Sequence, residues 1–164
     1  MGPCAAKKLE AQRKTIRSDV DFVLTFEELA GMIAAKGIEF DQLESEPWDS
    51  IASGDGEGFA QSGGVAQAVV NRARELEPDK DVKTMAAEGL ENCKKMVMMA
   101  KTGKLNGYLL EGMACPGGCI AGAGTIQPVA KSKASLAKAV KEAPFARCSE
   151  TSLKEAGKAA ALNN

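Results

Sequence analysis

Apolar and polar positions along the chain switch between a period of two and a period near 3.6, so short strands and longer helices should alternate. Residues 21–24, with the β-favouring Phe22 and Val23, read as a strand. Thr25, followed three residues later by Glu28, is a capping box that opens the next helix, on which Leu29, Met32 and Ile33 share one face. Gly37 supplies the left-handed residue that ends this helix, with Ile38 placed to pack back on it. Residues 39–57, containing Pro47, Gly54, Asp55 and Gly56, make the longest irregular stretch, a loop or a lid. After Ser62-Gly63-Gly64 comes a helix whose Val65, Val69 and Ala73 recur every four residues, ending near the Glu77-Pro78-Asp79 turn. Residues 82–87 read as a second strand. Residues 90–101 read as a helix with Leu90, Met96, Val97 and Met99 apolar and Gly103 as its stop. Residues 108–113 read as a third strand that delivers Cys115 at its C-terminal end, where open α/β sheets bind ligands. Beyond Pro128 a Lys- and Ala-rich pattern through Ala143 is an amphipathic helix, and residues 152–162 form a weaker one. The expected class is α/β, a small and mostly parallel sheet flanked by helices, in one domain.

A chain of 164 residues should bury roughly 68–70% of the surface that its unfolded form exposes, enough for one core. Its 21 Lys and Arg nearly cancel its 22 Asp and Glu, so it has no strongly basic face for nucleic acid. Histidine is absent. That removes the commonest general base and zinc ligand, leaving thiols and carboxylates. The five cysteines are Cys4, Cys93, Cys115, Cys119 and Cys148, an odd number without a secretory signal. This argues against a disulfide framework and for the cytoplasm. No apolar run is long enough to cross a bilayer.

Two distant stretches concentrate the chemistry. The first is Gly2-Pro3-Cys4-Ala5-Ala6-Lys7-Lys8-Leu9-Glu10; the second runs from Glu111-Gly112-Met113-Ala114-Cys115-Pro116-Gly117-Gly118-Cys119 to Gly122, Gly124 and Pro128. Two thiols four residues apart are weak evidence alone, since such a pair can be core residues or form an accidental disulfide. The glycine density calls for a reason, because glycine costs about 1 kcal/mol relative to alanine in a helix; close packing against a bulky inorganic cluster is one. The two stretches resemble the PCxxKxxE and ExMxCPGGC segments of iron-only (FeFe) hydrogenases, in the same order and at similarly wide separation. Phe59 with Ser62-Gly63-Gly64 resembles a further segment of that family, although the glycines alone also fit an anion-binding helix start. Gly2, Ala60 and the longer stretch from Gly122 to Pro128 depart from the family pattern and suggest a divergent subgroup.

The resemblance implies one lobe of the hydrogenase catalytic domain and an H-cluster, a 4Fe-4S cubane joined to a two-iron subcluster. By motif match Cys4, Cys115 and Cys119 are its metal ligands, with Cys119 bridging the two parts. Lys7 is the donor to a cyanide of the two-iron unit, Met113 packs near that unit and Phe59 packs beside the cluster. Glu10 orients Lys7. Read without the family, Met113 is an ordinary core methionine, and Lys7 with Glu10 is a solvated pair. Cys93 and Cys148 are structural or incidental. The family carries an earlier cysteine segment upstream of the first motif, so the expectation is a C-terminal fragment that is inactive alone, loses its cluster on aerobic purification, and exposes an apolar surface around Cys4, Phe59, Met113 and Cys119 that leads either to self-association or to disorder in the cluster-binding loops. The implied partners are the missing N-terminal lobe, ferredoxin as electron partner, and maturation proteins, with neither nucleic acid nor membrane. The implied activity interconverts protons and electrons with dihydrogen. A noncatalytic iron-sulfur or redox-sensing domain is the alternative, and a thiol-disulfide protein using Cys115 and Cys119 is a third, disfavoured by the absence of CxxC spacing.

Overall fold

The computed structural model describes residues 1–13, 15, 19–46 and 51–152. Eight helices and strands position the site among them: α1 (Ala6–Gln12), α2 (Phe26–Ala35), α3 (Gly54–Glu57), α4 (Gly64–Leu76), β1 (Lys83–Glu88), α5 (Leu90–Lys101), β2 (Tyr108–Met113) and α6 (Val129–Glu142). The expected weak helix over residues 152–162 lies, apart from Ser152, outside the described residues, as does Pro47. β1 and β2 pair in parallel from Lys83↔Tyr108 to Glu88↔Met113, with α5 as the crossover. The class is therefore α/β with a two-stranded parallel sheet flanked by helices.

Local chemistry explains most boundaries. Thr25 Oγ1 accepts from the Glu28 amide at 3.3 Å while Thr25 N–H donates to Glu28 Oε2 at 2.9 Å, closing the capping box of α2. Gly37, at φ +65°, ends that helix with Ile38 N–H donating back to the Ile33 carbonyl. Gly103 does the same for α5, with Lys104 N–H returning to the Met99 carbonyl.

Four expectations are corrected. Residues 21–24 are not a strand: Leu24 accepts from Gly2 N–H and Val23 accepts from Lys8 Nζ, while Phe22 is 84% exposed. These bonds tie the segment to the N-terminus instead of to a ladder, and β propensity without a packed neighbour fixes no strand. The stretch over residues 39–57 is partly regular, with a 3₁₀ turn at Phe40–Gln42 and α3, whose N-cap Ser53 accepts from the Gly56 amide. The inward face of α4 carries buried Ala66 and Val70, whereas Val69 is exposed. The core is also smaller than expected. Ala87, Met96 and Leu105 form its centre, with Met85, Cys93, Ala100 and Leu110 packed around them. No described side chain is below 2% exposure, and Phe40, Leu90 and Val97 face solvent.

Candidate functional site

Three segments meet at the C-terminal end of the sheet. The first is the N-terminal Pro3-Cys4 pair, which precedes α1. Gly124 N–H donates to the Pro3 carbonyl at 2.8 Å, and Gly2 N–H donates to Leu24 at 3.0 Å. The fit against the second segment, which follows β2, is tight. A Cβ on Gly122 would stand 2.3 Å from the Pro3 carbonyl oxygen, and one on Gly124 would stand 2.7 Å from Thr25 Cγ2. Only glycine admits that approach.

The third segment carries Phe59 in a 3₁₀ turn, Gly58–Ala60, just before α4. Gly118 lies against it, where a Cβ would come within 2.6 Å of both the Ala60 carbonyl oxygen and the Ser62 amide nitrogen. Gly117 and Gly118 both adopt φ +93°, a conformation costly to residues with a side chain, so the chain turns sharply between Cys115 and Cys119. The two thiols therefore flank an irregular turn, with Cys119 opening the short 3₁₀ helix Cys119–Ala121, and do not share one α-helical face. Of these glycines, Gly118 and Gly122 serve the close approach of one backbone to another.

Two carboxylates that sequence reasoning left without a role brace this junction. Glu111, on β2, accepts the Gly63 amide at 2.6 Å on one oxygen and the Ala66 amide at 2.7 Å on the other. Gly63 is the N-cap of α4 and has no side chain to offer, so the strand caps the helix. This corrects the reading of Ser62-Gly63-Gly64 as a free anion-binding start, because a carboxylate of the chain itself occupies it. Glu88, at the end of β1, accepts the Gly117 amide at 2.6 Å. A charged residue breaking the apolar pattern of each strand, at the end of β1 and within β2, was the available signal.

The remaining site residues are placed as follows. Cys4 and Cys115 are half-buried, Cys119 is exposed, and all five thiols are free. Lys7 Nζ donates to Glu10 Oε2. That bond and the charge of Glu10 hold the Lys7 ammonium above the ordinary lysine range, and the nearby Cys4 and Cys119 sulfurs act in the same direction. Lys7 therefore stands within electrostatic reach of thiols from both motifs. Met113 closes β2, half-buried, with its carbonyl accepting Gly89 N–H at 2.9 Å. Phe59 is 47% exposed. Cys93 is packed beside the core and its thiol donates to the Ala87 carbonyl, while Cys148 is exposed. Among the described residues, no three His, Cys, Asp or Glu side chains gather around a point where they could share one metal ion. No described helix is long and apolar enough to cross a membrane.

Comparison with known proteins places this arrangement. A chain 34% identical over 160 residues is the periplasmic [Fe] hydrogenase large subunit of Nitratidesulfovibrio vulgaris, with 77% of this chain and 38% of that protein covered. Protein NAR1 of Arabidopsis thaliana is 30% identical over 172 residues, covering 77% of this chain and 36% of that protein. The cytosolic iron-sulfur assembly component 3 of Pongo abelii is 29% identical over 163 residues, covering 76% of this chain and 34% of that protein. The chain thus spans a little over a third of the length of each of these relatives. An [FeFe]-hydrogenase HydA1 from Chlamydomonas reinhardtii superposes with a TM-score of 0.66 at 21% identity, over 94% of this chain and 56% of that one, a likeness of fold. The family described as iron only hydrogenase large subunit, C-terminal domain, matches residues 1–123, and the chain belongs to that family.

Proposed function

We propose that the chain carries part of the iron-sulfur site of an iron-only hydrogenase, with Cys4, Cys115 and Cys119 as thiolate ligands. The observation that carries this reading is the seating of Pro3 on the loop after Cys119, through the 2.8 Å bond from Gly124, which draws together two motifs over a hundred residues apart. The donor set suits the group. Histidine is absent and all the thiols are free. Sulfurs spaced around a glycine-rich turn, not focused on one ion, fit a cluster that has its own width.

A 4Fe-4S cubane with its two-iron unit would supply electron transfer and hydrogen activation. The chain's own part is ligation, orientation and hydrogen bonding. Cys4 and Cys119 would ligate from opposing backbones that the Pro3–Gly124 bond keeps in register. Lys7, charged and directed by Glu10, would offer an ammonium donor to an anionic diatomic ligand on the Cys119 side. Met113 and Phe59 would supply apolar contact that limits water. The exposure of Phe59 and Cys119 beside the site supports a further lobe as partner, and ferredoxin and maturation proteins belong to the same proposal. Free thiols suit a reducing compartment, so we assign the cytoplasm.

A second reading, a noncatalytic iron-sulfur protein, is favoured by the similarity to NAR1 and to cytosolic iron-sulfur assembly component 3. Anaerobic reconstitution of the chain, followed by iron analysis and electron paramagnetic resonance, tests the shared claim. Cys4→Ser, Cys115→Ser and Cys119→Ser should each reduce iron uptake while Cys93→Ser and Cys148→Ser leave it intact; equal uptake by all five variants overturns the assignment. Infrared bands of carbonyl and cyanide ligands after treatment with maturation proteins would select the hydrogenase reading. A cluster without them would select the second.

A further inference from the structure

Glu88 stands where the sheet hands the chain to the cysteine loop. It is the last residue of β1, paired in register with Met113, the last residue of β2. Its backbone is fixed from both sides: the Glu88 carbonyl accepts Asn92 Nδ2–H at 2.9 Å, and the next amide, Gly89 N–H, donates to the Met113 carbonyl at 2.9 Å. From this anchored position the carboxylate reaches a residue 29 positions away and accepts the Gly117 amide at 2.6 Å. Gly117 is buried and left-handed, so its N–H belongs to no ladder and its orientation sets the turn joining Cys115 to Cys119. A loop amide in such a place is also a natural donor to the sulfur of a bound cluster. Glu88 takes that donor away and brings a negative charge to the loop. On the other side, a Cβ on Gly117 would meet Lys133 Cε at 3.6 Å, so the stem of an α6 lysine passes over the same turn.

We propose that Glu88 is a positioning residue for the cysteine loop: it fixes the Gly117 amide before any cluster is present, and it lowers the reduction potential of the cluster that the loop takes. The second half rests on the iron-sulfur reading proposed above; the first does not. Hydrogen bonds to cluster sulfurs and the net charge nearby are two of the protein levers on such a potential, and Glu88 acts on both in the same direction. Removing a donor and adding an anion each disfavour the added electron.

The test uses the full chain with Glu88→Gln and Glu88→Ala. Glutamine keeps an acceptor and removes the charge, whereas alanine removes both. In the cluster-free chain, amide exchange at Gly117 measured by nuclear magnetic resonance should be slow in the unaltered protein. It should stay slow in E88Q and rise about tenfold or more in E88A, as expected for loss of one charge-assisted bond. Unchanged exchange in E88A overturns the positioning role. After anaerobic reconstitution, redox titration should give a higher potential for E88Q than for the unaltered chain, and a higher one again for E88A, with Lys133→Met moving it downward. An E88Q potential at or below the unaltered value overturns the electrostatic half. If the unaltered chain takes up no iron, the iron-sulfur reading and the electrostatic half both fall, and exchange at Gly117 alone decides the positioning role. E88Q, which retains the acceptor, keeps the comparison valid if E88A does not fold.

Discussion

Replacing Glu111 by alanine should destabilise the protein by about 3 kcal/mol, because one carboxylate satisfies two helix-terminal amides at once. The bonds to Gly63 and Ala66 are 2.6 and 2.7 Å long, and the helix they cap has no side-chain cap of its own. Hydrogen bonds to charged groups contribute about 1.5–3 kcal/mol each. Two bonds sharing one carboxylate do not add in full, and Glu111 is only half-buried, which lowers the sum. In the other direction, Ala66 is 5% exposed, so its amide would be poorly hydrated once orphaned, at about 1–3 kcal/mol. A negative charge at the N-terminus of α4 adds about 0.3–1 kcal/mol through the helix dipole. Urea unfolding followed by circular dichroism reads the loss as a lower midpoint at unchanged slope, and thermal unfolding should show a fall of roughly 6–12 °C for a chain of this size. Glu111→Gln should lose about half as much, since an amide side chain accepts on one atom only. Glu91→Ala is the control: its side chain is 81% exposed and its ion pair with Lys95 lies on the helix surface, so its effect should stay within about 0.5 kcal/mol. A loss below 0.5 kcal/mol for E111A, or one no larger than the control, would refute the cross-strand cap.

Gly122→Ala should leave helix content unchanged but push Pro3 off the loop, since the new Cβ would lie 2.3 Å from a backbone oxygen; proteolysis near the N-terminus should accelerate and iron uptake should fall, and unaltered uptake would count against the shared site. Met96→Ala, at a position 4% exposed in the centre of the core, should cost about 2–5 kcal/mol in urea unfolding, and a loss under 1 kcal/mol would mean that the core lies elsewhere. The bond from Lys8, and then that from the Thr25 amide, hold the Glu28 carboxyl below the usual carboxylate range, so folding favours its charged form. Its contribution is present above the ordinary carboxylate value and is lost as pH falls through the lowered folded value. Glu28→Gln should therefore flatten stability against pH in that acidic window, weakly because the pair is exposed; a profile as steep as that of the unaltered chain would exclude the link.

The elements whose ends are set by local chemistry were legible in the sequence. Residues 90–101 and 108–113 have the bounds expected of them, because Gly103 stops α5 and the β2 run is short and bounded. Where tertiary contact decides, the pattern misled. The spacing of Val65, Val69 and Ala73 suggested one face for α4, but Ala66, whose amide is held by Glu111 of β2, and Val70 one turn later are the residues that face inward. Residues 21–24 carry strand-forming side chains and still make no strand, since the decisive quantity is a neighbouring ladder and not propensity.

The candidate site divides along the same line. Its residue types were visible because thiols, a lysine and dense glycine are unusual in combination, and the two motifs that contain them do approach each other through Pro3, Gly122 and Gly124. What holds them there was not visible. Glu88 and Glu111 each act on an amide far along the chain, 29 and 45 to 48 positions away, and no periodicity encodes such a pairing. The glycines carry the complementary half of the argument. At Gly118 and Gly122 a side chain would collide with backbone rather than with a movable neighbour, so each marks a place where two chain segments must touch. A junction built from backbone contact and braced by a carboxylate from each strand keeps its shape without borrowing order from a ligand. It follows that substitutions at Glu88, Glu111 and Gly122 should disturb the loop in the cluster-free protein as well, whereas substitutions at Cys4, Cys115 and Cys119 should not, and amide exchange across residues 114–124 of the cluster-free variants separates these two classes.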